Sequence, residues 1–276
     1  MTTTAPLSGS YDVGTGYARK VEYDRLERQA ELTFSTELRA MRDYGLTDDG
    51  IVVDFGSGNG AVTRRLREAL PGATVYGADV DHELLASVDG PTLAITDGRV
   101  PVPDHSVDDV IMRFVAQHLT PPRRAEVYAE IARILRPGGH LHVVDVDDSD
   151  AGHSTGKVVR GLVEIFSELR EIQTAAGGDR YVVKKIAPEL DAAGFAAVTP
   201  VRSEVTTDDH PVSAFAVHMG PDRYVPLVSA GALSIEQLAV VGWSWENLRR
   251  DPDAFISINV HSVHATAPGT PAAANH

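Results

Sequence analysis

The sequence predicts an α/β fold: a doubly wound, mostly parallel sheet with helices on both faces. Three observations carry that prediction. Between Ile51 and Val146, short apolar runs alternate with amphipathic stretches at the pitch of βαβ units. The first apolar run leads directly into the glycine-rich stretch Gly56-Ser57-Gly58-Asn59-Gly60, placed at a strand-to-helix crossing. Hydrophobic residues are 43% and charged residues 23% of 276, enough for a sizeable core and against global disorder.

The elements follow in order. Ile51–Phe55 is apolar and ends at glycine, so it reads as a buried strand. Ala61–Leu70 places Val62, Leu66 and Leu70 on one helical face and Arg64, Arg65 and Arg67 elsewhere, and Pro71-Gly72 stops it. Thr74–Ala78 is a second strand, after which Asp81 can cap a short helix through Val88. Thr92–Thr96 is a third strand. Val107–Phe114 is a fourth, after the turn Pro103-Asp104-His105-Ser106. Thr120-Pro121 starts a helix with Thr as N-cap and Pro at the first position; Val127, Ile131, Ile134 and Leu135 form its stripe, and Pro137-Gly138-Gly139 closes it. Leu141–Val146 is a fifth strand.

Beyond residue 150 the rhythm changes. Helices are expected at Val158–Thr174 and Lys185–Ala193, the second closed by Gly194, and strands at Ala196–Val205 and Phe255–Val263. The interval Thr206–Asp253 holds Pro211, Pro221, Pro226 and a helix over Ser234–Arg249, and is too long for a plain connector. Tyr17–Tyr44 reads as a helix pair ahead of the first strand. The expected organisation is an N-terminal helical cap (1–50), an α/β core (51–205), a lid or substrate insertion (206–253), the last core strand (254–264) and a disordered tail (265–276).

Composition narrows the function. Lys plus Arg is 25 and Asp plus Glu 39, a net charge of −14. Such a surface repels phosphate backbones and anionic lipid, so neither nucleic acid nor a membrane is an expected partner. No stretch nears the roughly 20 apolar residues of a membrane helix, and no secretory leader is read at Met1–Ser10. There is no cysteine, which excludes disulfides, thiolate metal sites and a catalytic thiol and fits a cytoplasmic setting.

Three carboxylates stand at strand ends. Asp54 precedes the glycine turn, where a negative charge suits a cationic ligand better than a pyrophosphate. Asp79, in Tyr76-Gly77-Ala78-Asp79-Val80-Asp81, falls about 20 residues past the glycines, where an acid can accept both hydroxyls of a ribose. Asp97, in Thr96-Asp97-Gly98, can accept from an adenine amino group or simply build an Asp-Gly turn.

These segments, with Ser106-Val107-Asp108-Asp109-Val110-Ile111 and Arg133-Ile134-Leu135-Arg136-Pro137-Gly138-Gly139, resemble the class I S-adenosylmethionine-dependent methyltransferases, most closely the small-molecule, natural-product branch. The resemblance covers roughly Tyr17 to Val146. It implies a Rossmann-like sheet of seven strands, the last antiparallel, and a methyl transfer from S-adenosyl-L-methionine to a small molecule in secondary metabolism. It also implies that Asp54, Gly56, Ser57, Gly58 and Gly60 hold the methionine half, Asp79 the ribose, Val80 the adenine face, and Asp97 with Gly98 the adenine edge. Arg113 and Phe114 would line the sulfonium side. Tyr17, Arg28 or Gln29 would reach the cofactor carboxylate. Asn59 stands where the family often has Thr, and Val107 where it usually has Phe. A homodimer is an open alternative to a monomer.

In-line displacement from a sulfonium needs alignment more than acid–base help, and a base only for a protonated nucleophile. His118 is the best-placed base and also a cofactor contact; His142, Asp145 and His153 are further candidates. Asp145-Val146-Asp147-Asp148-Ser149-Asp150 could bind a divalent metal or a cationic amine, or be a solvated loop. Tyr224, Trp243 and Trp245 could form an aromatic substrate wall or pack in a core. Two other readings remain. Gly56-x-Gly58-x-x-Ala61 with Tyr181-x-x-x-Lys185 fits a nicotinamide-dependent reductase, and the same pocket could serve an adenosylmethionine-binding enzyme that transfers no methyl.

Overall fold

The computed structural model describes residues 16–154, 171, 174–175, 177–229 and 231–269, without the side chains of 16–19, 226 and 229. The expected helix Val158–Thr174 lies almost wholly outside them, as does the end of the tail. Helix α1 (Gly16–Asp43) precedes β1 (Asp49–Phe55), α2 (Ala61–Ala69), β2 (Gly72–Asp79), α3 (His82–Leu85), β3 (Thr92–Ala94) and β4 (Val107–Arg113). Then come α4 (Pro121–Ile134), β5 (Leu135–Asp145), β6 (Gly152–Ser154), α5 (Val183–Ala192) and β7 (Ala196–Thr206). Short helices α6 (Ala216–Met219) and α7 (Val225–Ser229) and the longer α8 (Ile235–Arg250) lead to β8 (Ile256–Thr266).

The sheet runs β3-β2-β1-β4-β5-β8, and β7 pairs along the far edge of β8. Pairs among β1 to β5 are parallel, and β8 is antiparallel to β5, β6 and β7. Seven strands were expected and eight are seen among the described residues, for a local reason. β5 pairs His140–Asp145 with Thr266–His261, and β6 then pairs Gly152–Ser154 with Ile258–Ile256. β7 runs along the opposite edge of the same strand, with a register shift between Ala196 and Thr199. Thus β6 resumes the line of β5 after 146–151 loop out.

Both faces of the sheet are covered, which is why its strands read as continuous apolar runs. Val53, Phe55, Val110, Met112, Leu141 and Val143 pack against Tyr128, Ile131 and Ile134 of α4 and Ile186 and Leu190 of α5. The alternate residues Val52, Ile111 and Val144 meet Ala30, Leu32 and Met41 of α1, Val62 and Leu66 of α2, and Phe215, Val217 and Trp245 of the 206–253 segment. The period of two therefore assigns each strand residue to one layer.

Several boundaries differ from expectation. Tyr17–Asp43 forms one helix rather than a pair, because it contains neither glycine nor proline to break it. α4 ends at Ile134, before Pro137; Leu135 has already turned extended and begins β5. Thr120 has extended backbone ahead of Pro121, but its side chain makes no capping bond. β8 reaches Thr266, and Ala267 is buried with its N–H donated to the Gly139 carbonyl at 2.7 Å, so the tail cannot start at 265. Asp81 does cap α3, accepting from Glu83 and Leu84, and Ser234 with Gln237 forms a capping box on α8.

Candidate active site

The carboxyl ends of β1, β2, β4 and β5 open onto one large cleft of about 2460 Å³, walled by α1 and by the 206–253 segment. At its floor, β1 turns sharply into α2. Gly56 and Gly58 have φ of 77° and 55°, a region that side-chain-bearing residues avoid. A Cβ on Gly56 would overlap Val115, whereas one on Gly58 would meet nothing within 4 Å, so Gly58 leaves bare backbone toward the cleft. Gly60 caps α2 behind the turn, where a Cβ would crowd Val88, and is not among the residues that line the cleft.

Asp54 points toward α2, where Thr63 Oγ1 donates to its Oδ2 at 2.6 Å. Burial raises its pKa to about 6, against the lowering effect of Thr63 and Arg113. Asp79 accepts from the Gly58 N–H at 2.8 Å and the Asp81 N–H at 3.0 Å, and burial shifts its pKa upward as well. Val80 presents an exposed apolar side chain beside it. Thr96 and Arg99 exchange backbone bonds across Asp97 and Gly98, both with positive φ, so this is indeed a tight Asp-Gly turn. The turn also lines the cleft, with Asp97 exposed.

Arg113 lines the cleft but is held by a partner the sequence did not suggest. Its Nε donates to both oxygens of Glu37 at 3.0 and 2.8 Å, and Nη2 donates to Thr33 Oγ1 at 3.0 Å. Both Arg113 and Glu37 side chains are almost fully buried. Phe114, at φ 56°, lies 4.3 Å from the guanidinium. The pair pins α1 to the end of β4 and neutralises the cation expected beside a sulfonium.

His118 ends a 3₁₀ turn (Ala116–His118) after β4. Burial, and then the nearby Arg180 and Arg25, lower its pKa to about 4. Asp145 at the end of β5 accepts from the Gln117 and Val146 N–H groups at 3.1 and 2.9 Å, and burial raises its pKa to about 7. Arg28, Gln29 and His153 also line the cleft, whereas the Tyr17 side chain lies outside the described residues. His142 is off the cleft: it is fully buried in the sheet, its Nδ1 2.8 Å from His264 Nδ1.

The acidic run is an ion-paired plug rather than a solvated loop. Asp147 accepts from Ser149 and lies 3.4 Å from Lys184 Nζ. Asp148 takes a two-pronged bond from Arg180, and Asp150 pairs with Arg202 and accepts from Asn259. Among the described residues, no group of three His, Asp or Glu is placed to hold a metal ion. Tyr224 is core, Trp245 is core at the cleft edge, and Trp243 is exposed in the cleft. Tyr181 and Lys185, the reductase pair, lie outside the cleft, and Lys185 is bonded to Asp179.

A glycine turn at the carboxyl edge with acids on successive strand ends defines a Rossmann-like site for a nucleoside cofactor. The family profile described as a methyltransferase domain matches residues 53–143. The demethylmenaquinone methyltransferase of Tropheryma whipplei is 32% identical over 113 residues, covering 38% of this chain and 46% of that protein. The chain thus spans about half the length of the curated relative it matches. Among solved structures, one described as a methyltransferase from an antibiotic biosynthesis pathway of Anabaena variabilis superposes with a TM-score of 0.60 at 17% identity, covering 84% of this chain and 97% of that one. Phosphoethanolamine N-methyltransferase 2 of Haemonchus contortus, solved with S-adenosylhomocysteine, gives 0.54 at 15% identity, covering 94% and 61%. The chain thus matches a methyltransferase domain over residues 53–143 and shares the Rossmann-like fold of S-adenosylmethionine-dependent methyltransferases.

The donor set suits that cofactor. Carboxylates stand at three strand ends on the cleft, bare glycine backbone is left open, and the Ser57 hydroxyl is buried without a partner among the described residues.

Proposed function

We propose that this protein moves the methyl group of S-adenosylmethionine to a small-molecule acceptor inside the cytoplasm, as a step of secondary metabolism. The observation that carries the reading is the line of Asp54, Asp79 and Asp97 along one cleft whose backbone turns at Gly56 and Gly58. The cofactor supplies an activated methyl on a positively charged sulfur. The chain's part is to bind, align and exclude water. Asp79, already oriented by two backbone N–H groups, accepts the ribose hydroxyls. Val80 covers the adenine face, and Asp97 with Gly98 takes its edge. Asp54, Gly56, Ser57 and Gly58 hold the methionine half, with Arg28 near the carboxylate end, and Phe114 closes the sulfonium side. Residues 206–253 act as the acceptor wall and lid. The quinone acceptor of the curated relative and the antibiotic-pathway setting of the structural neighbour support a small organic acceptor.

His118 is assigned as the proton acceptor when the nucleophile arrives protonated. It is neutral at pH 7, so its accepting form is fully populated. Asp145 is the second candidate, because its pKa of about 7 is better matched to the task. The decisive experiment is calorimetry with S-adenosylhomocysteine on the wild type and on Asp79→Ala. The variant should bind about 1.5–3 kcal/mol more weakly, the range for hydrogen bonds to a charged group. An unchanged dissociation constant would remove the ribose assignment, and no binding to the wild type would remove the methyl-transfer reading.

A further inference from the structure

The charges around the cleft are not mixed evenly. The acids named above occupy the strand tips. A cluster of guanidiniums faces the 206–253 side: Arg25 of α1, Arg180 ahead of α5, and Arg223 between α6 and α7. Two of these have counter-ions. Arg25 pairs with Glu22 at 2.6 Å, and Arg180 pairs with Asp148 at 2.7 Å while donating to Gln117 Oε1. Arg223 does not. Its Nη1 donates to the His218 carbonyl at 3.3 Å and its guanidinium lies 5.9 Å from the Tyr224 ring, but among the described residues no carboxylate pairs with it. Burial and the neighbouring arginines shift its pKa downward, the sign of a cation short of negative charge. Beside it, His218 Nε2 is buried with no hydrogen-bond partner among the described residues, and His218 also lines the cleft.

A guanidinium and an imidazole nitrogen left unmatched together are costly in a desolvated wall, unless a ligand supplies the missing charge and lone pairs. The acidic loop offers no ion pair, since Asp147, Asp148 and Asp150 already hold Lys184, Arg180 and Arg202, and Asp148 acts on Arg223 only through its field. That pairing also removes the loop as a free receptor for a cationic amine.

We infer that the acceptor carries an oxyanion, a carboxylate or a phosphate, seated on Arg223 and hydrogen-bonded by His218 Nε2. The oxyanion is a handle that orients the molecule. Val241, Trp243 and Leu248 line the same cleft and would receive an apolar body. This inference rests on the methyl-transfer reading and adds the acceptor's charge to it.

The test uses the chain's own signal. Its only two tryptophans, Trp243 and Trp245, both line the cleft, so intrinsic fluorescence reports occupancy. The full chain, saturated with S-adenosylhomocysteine, is titrated with benzoate, phenyl phosphate, benzamide and benzylamine. Benzoate or phenyl phosphate should bind at least roughly tenfold tighter than the neutral amide and the amine, the ratio expected for a charge-assisted contact. Comparing the two anions separates a carboxylate from a phosphate handle. Arg223→Gln should abolish the preference while the dissociation constant for S-adenosylhomocysteine stays at its wild-type value. Benzamide or benzylamine binding as well as both anions, or a preference that survives in Arg223→Gln, overturns the inference. Should that variant not fold, the wild-type ligand series decides alone. Failure of S-adenosylhomocysteine to bind overturns the methyl-transfer reading instead, and the same four ligands on the free protein still report on the anion seat.

Discussion

Asp145 and His118 lie on the same cleft, yet burial moves their titrations in opposite directions, to about 7 and about 4. In each case the form that loses is the charged one. The shifts make the base assignment measurable. A general base works only deprotonated, so activity falls as pH drops through its pKa. With His118 as the base, kcat/KM stays level through the neutral range and falls only in acid. With Asp145 as the base, it already falls as pH drops through about 7. We expect the first profile. We also expect His118→Ala to lower turnover about 10²–10⁴-fold with cofactor affinity retained, measured by single-turnover kinetics alongside calorimetry. Sequence spacing places His118 just past the fourth strand and Asp145 at the end of the fifth. It could not say which of them burial would favour, because burial depends on what the rest of the chain lays over them. Arg223 and His218 were not singled out in the sequence at all. Nothing local distinguishes them; only the arginines and helices gathered around them do.

At the scale of elements, α1 is a helix for local reasons and a wall of the site for tertiary ones. From Tyr17 to Asp43 it runs without a breaker, but its position depends on Glu37 meeting Arg113, a residue 76 positions away in the chain. Removing one member of a buried pair leaves the other charge uncompensated, at a cost of about 3–5 kcal/mol. Glu37→Gln should therefore lower the urea midpoint by a comparable free energy. It should also weaken S-adenosylhomocysteine binding, since Arg25, Gln29 and Thr33 on the same helix line the cleft. Retained stability in this variant would show that the pair does not anchor α1. The interruption between β5 and β6 has a similar origin. The run of aspartates was visible as a charge cluster, whereas its partners Lys184, Arg180, Arg202 and Asn259 come from three later segments.

Across the whole molecule, a net charge of −14 surrounds a cleft with an acidic cofactor end and a basic opposite wall. Such a field draws in cations and repels anions until a local positive group captures them. The association rate of S-adenosylmethionine, which bears the extra sulfonium charge, should therefore fall with added salt more steeply than that of S-adenosylhomocysteine. Stopped-flow tryptophan fluorescence at low and high ionic strength would measure this, and equal salt slopes would count against the steering. By itself, the sequence determined the alternation of strands and helices, the glycine turn, the Asp81 cap and the carboxylates at strand tips. Each of these follows from side-chain periodicity or turn chemistry within a few neighbouring residues. Only the tertiary structure decided that Glu37 pins α1 to Arg113, that β5 breaks and resumes as β6, and that no carboxylate among the described residues pairs with Arg223. Those outcomes depend on charges and volumes brought together from distant parts of the chain, where no local pattern records who will meet whom.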